Sequence, residues 1–132
     1  MADMSNYLEN AILNLILNGT AFTAITDPYI SLHTADPTDA GTGTEVSGTG
    51  YARVQGTFPT ASGTTGSVTN SADITWASAG SSWGTVGWIG VWDAGGTSGG
   101  NMLLHTAMDA TKTIDTGDVF KIATPNLTIA FT

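Results

Sequence analysis

Between Asn6 and Asn18 the apolar residues fall at helical spacing, with Leu8, Ala11, Ile12, Leu15 and Ile16 forming one stripe. Asn6 followed three residues later by Glu9 reads as a capping pair, and Gly19 is a natural C-terminal stop. The pattern predicts a helix over 6–18. Leu13 and Leu17 lie off the stripe, so the helix carries a second apolar patch. The expectation for so broadly apolar a helix is deep packing against its own domain. A neighbouring subunit is the other possible cover.

After Asp27-Pro28 the period switches to two. Tyr29 to His33 reads as a first strand, closed by the turn Asp36-Pro37-Thr38-Asp39. Ala40 to Gly50 is a long Gly/Thr loop. Further strands are predicted at Tyr51–Phe58, Ala72–Trp76, Val86–Asp93, Asn101–Met108, Lys112–Asp115, Val119–Ile122 and Leu127–Phe131. Along Trp83–Trp92 one face carries Trp83, Ile89 and Val91, and the other carries Val86, Trp88 and Trp92. Both faces are apolar, so this strand should be central and covered on both sides, by the helix or by a neighbouring subunit. Seven to eight short strands separated by Gly-rich turns predict a mainly β fold. Its form is an antiparallel β-sandwich or jelly-roll-like barrel with one N-terminal α-helix. No linker divides the chain, which reads as one domain over 1–132, with the β part at 29–132.

Composition sharpens this picture. Charged residues are only 11% of the chain, and the net charge is −8 with Arg53, Lys112 and Lys121 as its only cations. Binding phosphates requires clustered Lys and Arg, so no nucleic-acid partner is expected, and anionic lipid is disfavoured for the same reason. Cysteine is absent, which removes disulfides and thiolate zinc sites. The acidic start Met1-Ala2-Asp3-Met4 lacks the basic region of a signal peptide. The run from Ala11 to Leu17 is far below the ~20 residues of a membrane span.

Candidate chemistry is sparse. His33 and His105 are the only histidines, no nucleophile elbow is present, and no nucleophile, base and orienter can be assembled by spacing. Enzymatic activity is not expected. The run Gly95–Gly100 lacks the Lys-Ser/Thr of a phosphate loop and reads as a hairpin turn. Asp36, Asp39 and Glu45 offer oxygens to a hard cation, but their spacing matches no calcium loop, so neither metal nor cofactor is expected. Four tryptophans are many for this length; exposed, they could stack on sugars or anchor an interface, and buried, they build the core.

Several blocks resemble a widespread family of small phage virion proteins. They begin with Ser5-Asn6-Tyr7-Leu8-Glu9-Asn10-Ala11, then the stretch from Thr34 to Gly48, and Tyr51-Ala52-Arg53. They continue with Asn70-Ser71-Ala72-Asp73-Ile74, Ser82-Trp83-Gly84-Thr85-Val86, Gly90-Val91-Trp92-Asp93-Ala94, Gly99-Gly100-Asn101-Met102-Leu103 and Thr116-Gly117-Asp118-Val119-Phe120-Lys121. Trp76 departs from the pattern, standing where a Phe-Pro-like turn is expected. Members of this family are labelled phage tail fibre proteins. They are similar to capsid decoration, or cement, proteins, which are usually trimeric.

The resemblance implies a virion component made in the bacterial cytoplasm. A fibre chain that projects a tip needs repeats, heptads or a β-helix as a shaft, and this sequence has none. The leading expectation is therefore a decoration protein on the outer head surface. It would be a homotrimer that bridges subunits of the major capsid protein, with many weak contacts acting together. The alternative is a tail-fibre or baseplate component that meets tail proteins or a host surface receptor, and the third is a glycan-binding module. Candidate interface residues are Leu13 and Leu17 on the helix, and Asp36 and Asp39 at the turn. To these are added Thr42, Thr44 and Glu45 in the long loop, and Trp88 and Trp92 on the central strand.

Overall fold

Alternating apolar residues in a chain rich in Thr and Gly build strands, and the computed structural model arranges them around one apolar layer. It describes residues 2–131; Met1 and Thr132, and with them the outer limits of the 1–132 domain reading and the first residue of the acidic start, lie outside the described residues. The elements in chain order are β1 (Asp3–Met4), α1 (Asn6–Asn18), β2 (Tyr29–His33), β3 (Val54–Gln55), β4 (Ser67–Thr69) and β5 (Ile74–Thr75). They continue with β6 (Gly84–Trp92), β7 (Met102–Ile114), β8 (Lys121–Ile122) and β9 (Thr128–Ala130).

A five-stranded antiparallel sheet runs in the order β1-β7-β6-β2-β3, and the ladders β4-β9 and β5-β8 stand apart from it. Ile30, Leu32, Ile89 and Val91 from the sheet join Ile74, Ile122 and Leu127 in one buried cluster. Each such side chain contributes ~1.5–3 kcal/mol when fully removed from water. The fold is therefore mainly β and antiparallel, consistent with a sandwich carrying one N-terminal helix.

Several expectations require correction. Ser5, not Asn6, caps α1: its backbone is extended, and its Oγ accepts the Leu8 N–H at 3.2 Å. The residue is fixed in place because its own N–H donates to Leu103 O at 2.9 Å and its hydroxyl donates to Met102 O. Gly19 ends the helix in the left-handed conformation, as its position implies. Deep packing of the helix fails: within α1 only Leu8 is buried, and Leu15 and Ile16 of the supposed core stripe are exposed. The helix meets the domain through β1 and β7 near its start, and its last two turns run past the cover that the sheet provides.

Tyr51–Phe58 shrinks to the two residues of β3, while β1 and β4 form where no strand was expected. The two strands expected at Asn101–Met108 and Lys112–Asp115 are one strand, β7. It pairs with β6 as two stretches, Trp88 opposite Ala107 and Val86 opposite Lys112, with Met108–Thr111 bulging out between them. That register shift also moves Val86. It joins the core with Trp83, Ile89 and Val91 instead of sharing a face with Trp88 and Trp92. Trp76 is buried with its ring edge against Phe120, at 5.3 Å between centroids.

Candidate functional site

The second face of the five-stranded sheet sets buried polar side chains among aromatic ones. Antiparallel register places Ser31 opposite Gly90, and Gly90 opposite His105, with His33 opposite Trp88 and Tyr29 opposite Trp92. The segment after the Asp36 turn folds back over this face. Thr34 N–H donates to Thr44 O and Val46 N–H donates to Leu32 O, each at 3.0 Å, so the loop from Ala40 to Gly50 partly extends the edge of β2. Thr38 and Thr44 hold positive φ of 59° and 57° in this turn. Thr44 Oγ1 offsets part of that strain by donating to Ala35 O at 2.9 Å.

Arg53 sits at the centre. Its Nε and Nη2 grip the two oxygens of Glu45 at 2.9 and 2.8 Å, and Nη1 donates to the carbonyls of Ala94 and Gly99 at 3.1 and 2.9 Å. The guanidinium carbon lies 3.5 Å from the Trp92 ring centroid. One buried cation thus ties the long loop to the hairpin loop between β6 and β7. Between these loops lies a cleft of about 340 Å³, lined by Thr42, Thr44, Glu45, Arg53, Trp92 and the hairpin glycines. The ring of Trp92 is occupied by Arg53 and largely buried, so it offers no free face to a sugar.

Beneath the loop runs a short relay. Trp92 Nε1–H donates to Ser31 Oγ at 2.8 Å, Ser31 Oγ–H donates to His33 Nε2 at 2.7 Å, and His33 Nδ1–H donates to Gly43 O at 2.8 Å. Burial, the largest cause, pulls His33 below the ordinary histidine value, opposed by the Gly43 carbonyl and Glu45. A serine beside a histidine has the outline of a nucleophile and base. Here Ser31 is fully buried, and the far nitrogen meets a backbone carbonyl instead of a carboxylate, so the relay binds the loop to the sheet. Asp36 and Asp39 flank the buried His105 ring. Asp39 Oδ1 is 3.0 Å from Nε2, and Asp36 Oδ1 is 3.5 Å from Nδ1. Trp88, half-buried, tilts onto the same ring at 6.2 Å.

The structure therefore brings Thr42, Thr44, Glu45 and Trp92 together at the cleft and gathers Asp36, Asp39 and Trp88 around His105. It leaves Leu13 and Leu17 apart from both, on the free end of α1. Glu45 is committed to Arg53 and does not join the two aspartates. Arg53, Tyr51, Ser31 and His33 were not among the expected site residues. Period-two alternation along β2 already places Ser31 and His33 on one face, and a lone arginine among eleven acids signals a pairing partner.

The second surface is the end of α1. Leu13, Ile16 and Leu17 are 53%, 71% and 72% exposed. Spaced three and four residues apart, they share one face of the helix and make an exposed apolar patch of the kind that serves as a contact site. Among the described residues no helix is long and apolar enough to cross a membrane.

No curated protein matches this chain. A family model described as "Podophage GP4 fiber I protein gp80" matches residues 3–130. The blocks quoted above, from the α1 segment to the Thr116–Lys121 turn, all lie within that match, and the chain accordingly belongs to this family of phage fibre proteins, as a structural protein of the phage particle.

Proposed function

We propose that the chain is a building block of a phage fibre, working by adhesion to its neighbours in the particle through the uncovered end of α1. The observation that carries this reading is the exposure of Leu13, Ile16 and Leu17 on a helix with a single buried residue. An apolar helix end left in water is costly unless something covers it. The family's printed description supports a fibre. The chain has no shaft of its own, so a fibre would have to be built from such units in series, many weak contacts adding by avidity. The cleft loops, locked by Arg53, give each unit a rigid surface, with Thr42 and Thr44 at its rim.

The earlier reading, a decoration protein clamping the major capsid protein as a homotrimer, uses the same helix end. It is favoured by the small size and acidic surface of the unit, which suit placement in many copies over a shell. A reconstruction of the whole virion separates the two. Density for this chain in projections from the tail or its vertex supports the fibre; regular density over the head surface replaces it with decoration.

A further inference from the structure

One groove elsewhere on the molecule has the chemistry that the α1 end lacks. It opens beside the bulge of β7 and measures about 530 Å³, lined by Met108, Phe120 and Ile122 together with the charged side chains of Lys112, Lys121 and Asp109. Arg53 is buried, so these two lysines are the exposed cations of a chain of net charge −8. Lys121 reaches Asp73 at 3.1 Å, and among the described residues Lys112 has no ion-pair partner. No residue lining the groove belongs to α1 or to the segment that follows it.

The α1 end is the complement of this groove. Beyond Glu9 the helix carries no charged residue, its last turn has no basic side chain, and its C-terminus bears the partial negative charge of unpaired carbonyls. Two copies of so acidic a chain repel wherever charged surfaces meet. An uncharged helix end adds no like charge to Asp109, and set against Lys112, the lysine without an ion-pair partner, it gains a favourable dipole contact. We infer that the end of α1 in one copy, led by Leu17 and Ile16, seats in the Met108–Phe120 groove of the next copy, with Lys112 against the helix C-terminus. The inference rests on the reading of α1 as the contact surface. Because the two surfaces differ, the contact is head-to-tail and leaves one of each free on every pair, which is the geometry that extends into a chain.

Complementation tests it with the full chain. Leu17→Asp spoils the helix end and Lys112→Glu spoils the groove; Ile16→Ser serves as a second helix-end variant should Leu17→Asp prove misfolded by circular dichroism. In analytical ultracentrifugation the wild type is expected to grow through successive oligomers with concentration, while each variant alone stays monomeric. Mixing the two variants is expected to restore one 1:1 heterodimer and nothing larger, since one good helix end and one good groove remain. A wild type that stops at a dimer, with no heterodimer on mixing, means a like-to-like helix contact and overturns the head-to-tail inference while α1 stands. Undiminished association of both helix-end variants overturns the α1 reading itself, and a wild type monomeric at every concentration overturns the inference of a second copy as occupant.

Discussion

The guanidinium of Arg53 lies flat over the ring of Trp92, 3.5 Å from its centroid, while its edge forks onto Glu45 at 2.9 and 2.8 Å. The arginine side chain is almost wholly buried and that of Glu45 nearly so, which makes this the interior ion pair of the molecule among the described residues. Such a pair is costly to break from one side, because the remaining charge loses its partner without regaining water. Arg53→Met should destabilise the fold by about 3 kcal/mol. Arg53→Lys keeps the charge but loses the planar fork and stack, and should cost at least about 1 kcal/mol. Urea unfolding followed by tryptophan fluorescence reads both; equal stability of lysine variant and wild type would show that charge alone matters.

Tyr51 supplies what a missing strand residue would. Beyond β3 the edge of β2 has lost its partner strand, and the Tyr51 hydroxyl accepts the stranded Leu32 N–H at 2.9 Å while donating to Glu45 Oε1 at 2.9 Å. Burial, first of all, pushes this hydroxyl above the ordinary tyrosine value, so it stays a neutral donor. Tyr51→Phe leaves a buried N–H without an acceptor and should cost about 1–3 kcal/mol. The phenylalanine ring would still sit edge-on to Trp83, so a loss outside that range would mean that the hydroxyl is not what Leu32 depends on.

His33 gives the fold a pH dependence with a definite sign. Its value in the folded chain lies below the 6.5 of an unperturbed histidine, chiefly through burial. Between those two values the unfolded chain holds more protons than the folded one, so stability falls as pH falls. The contribution is fully present above pH 6.5 and is lost progressively below it, toward the depressed folded value. Thermal unfolding of the wild type should therefore weaken between pH 7.5 and 5.5, and His33→Gln should be less stable at the upper end but flatter with pH. Parallel curves for the two proteins would assign the acid sensitivity elsewhere.

Local chemistry that repeats along the chain was readable from sequence. The bounds of α1, the αL glycine at its end, the strand Tyr29–His33 and the hairpin at Gly95–Gly100 all follow from spacing and turn residues. What escaped depends on partners distant in sequence. The capping role of Ser5 is fixed by carbonyls of Met102 and Leu103, nearly a hundred residues away. The four-residue bulge in β7 has no turn signature, and it is what sends Val86 into the core. Thr42, Thr44, Glu45 and Trp92 do converge, but the residue that joins them, Arg53, is a single cation with nothing around it in sequence to announce a buried fork.

The helix offers the sharpest contrast between stability and adhesion. Leu8 is the buried anchor of α1 and packs with the main apolar cluster, so Leu8→Ala should cost about 2–5 kcal/mol. Leu13, five residues on and more than half exposed, touches little of its own domain, and Leu13→Asp should change stability by no more than about 0.5 kcal/mol. The same substitution puts a charge into the apolar helix end and should weaken incorporation into particles while the isolated chain melts as before. Comparing melting temperature with the amount of chain recovered in purified virions reads both effects. Unfolding of Leu13→Asp would mean that the helix end is held by its own domain, whereas normal folding with normal incorporation would remove Leu13 from the contact surface.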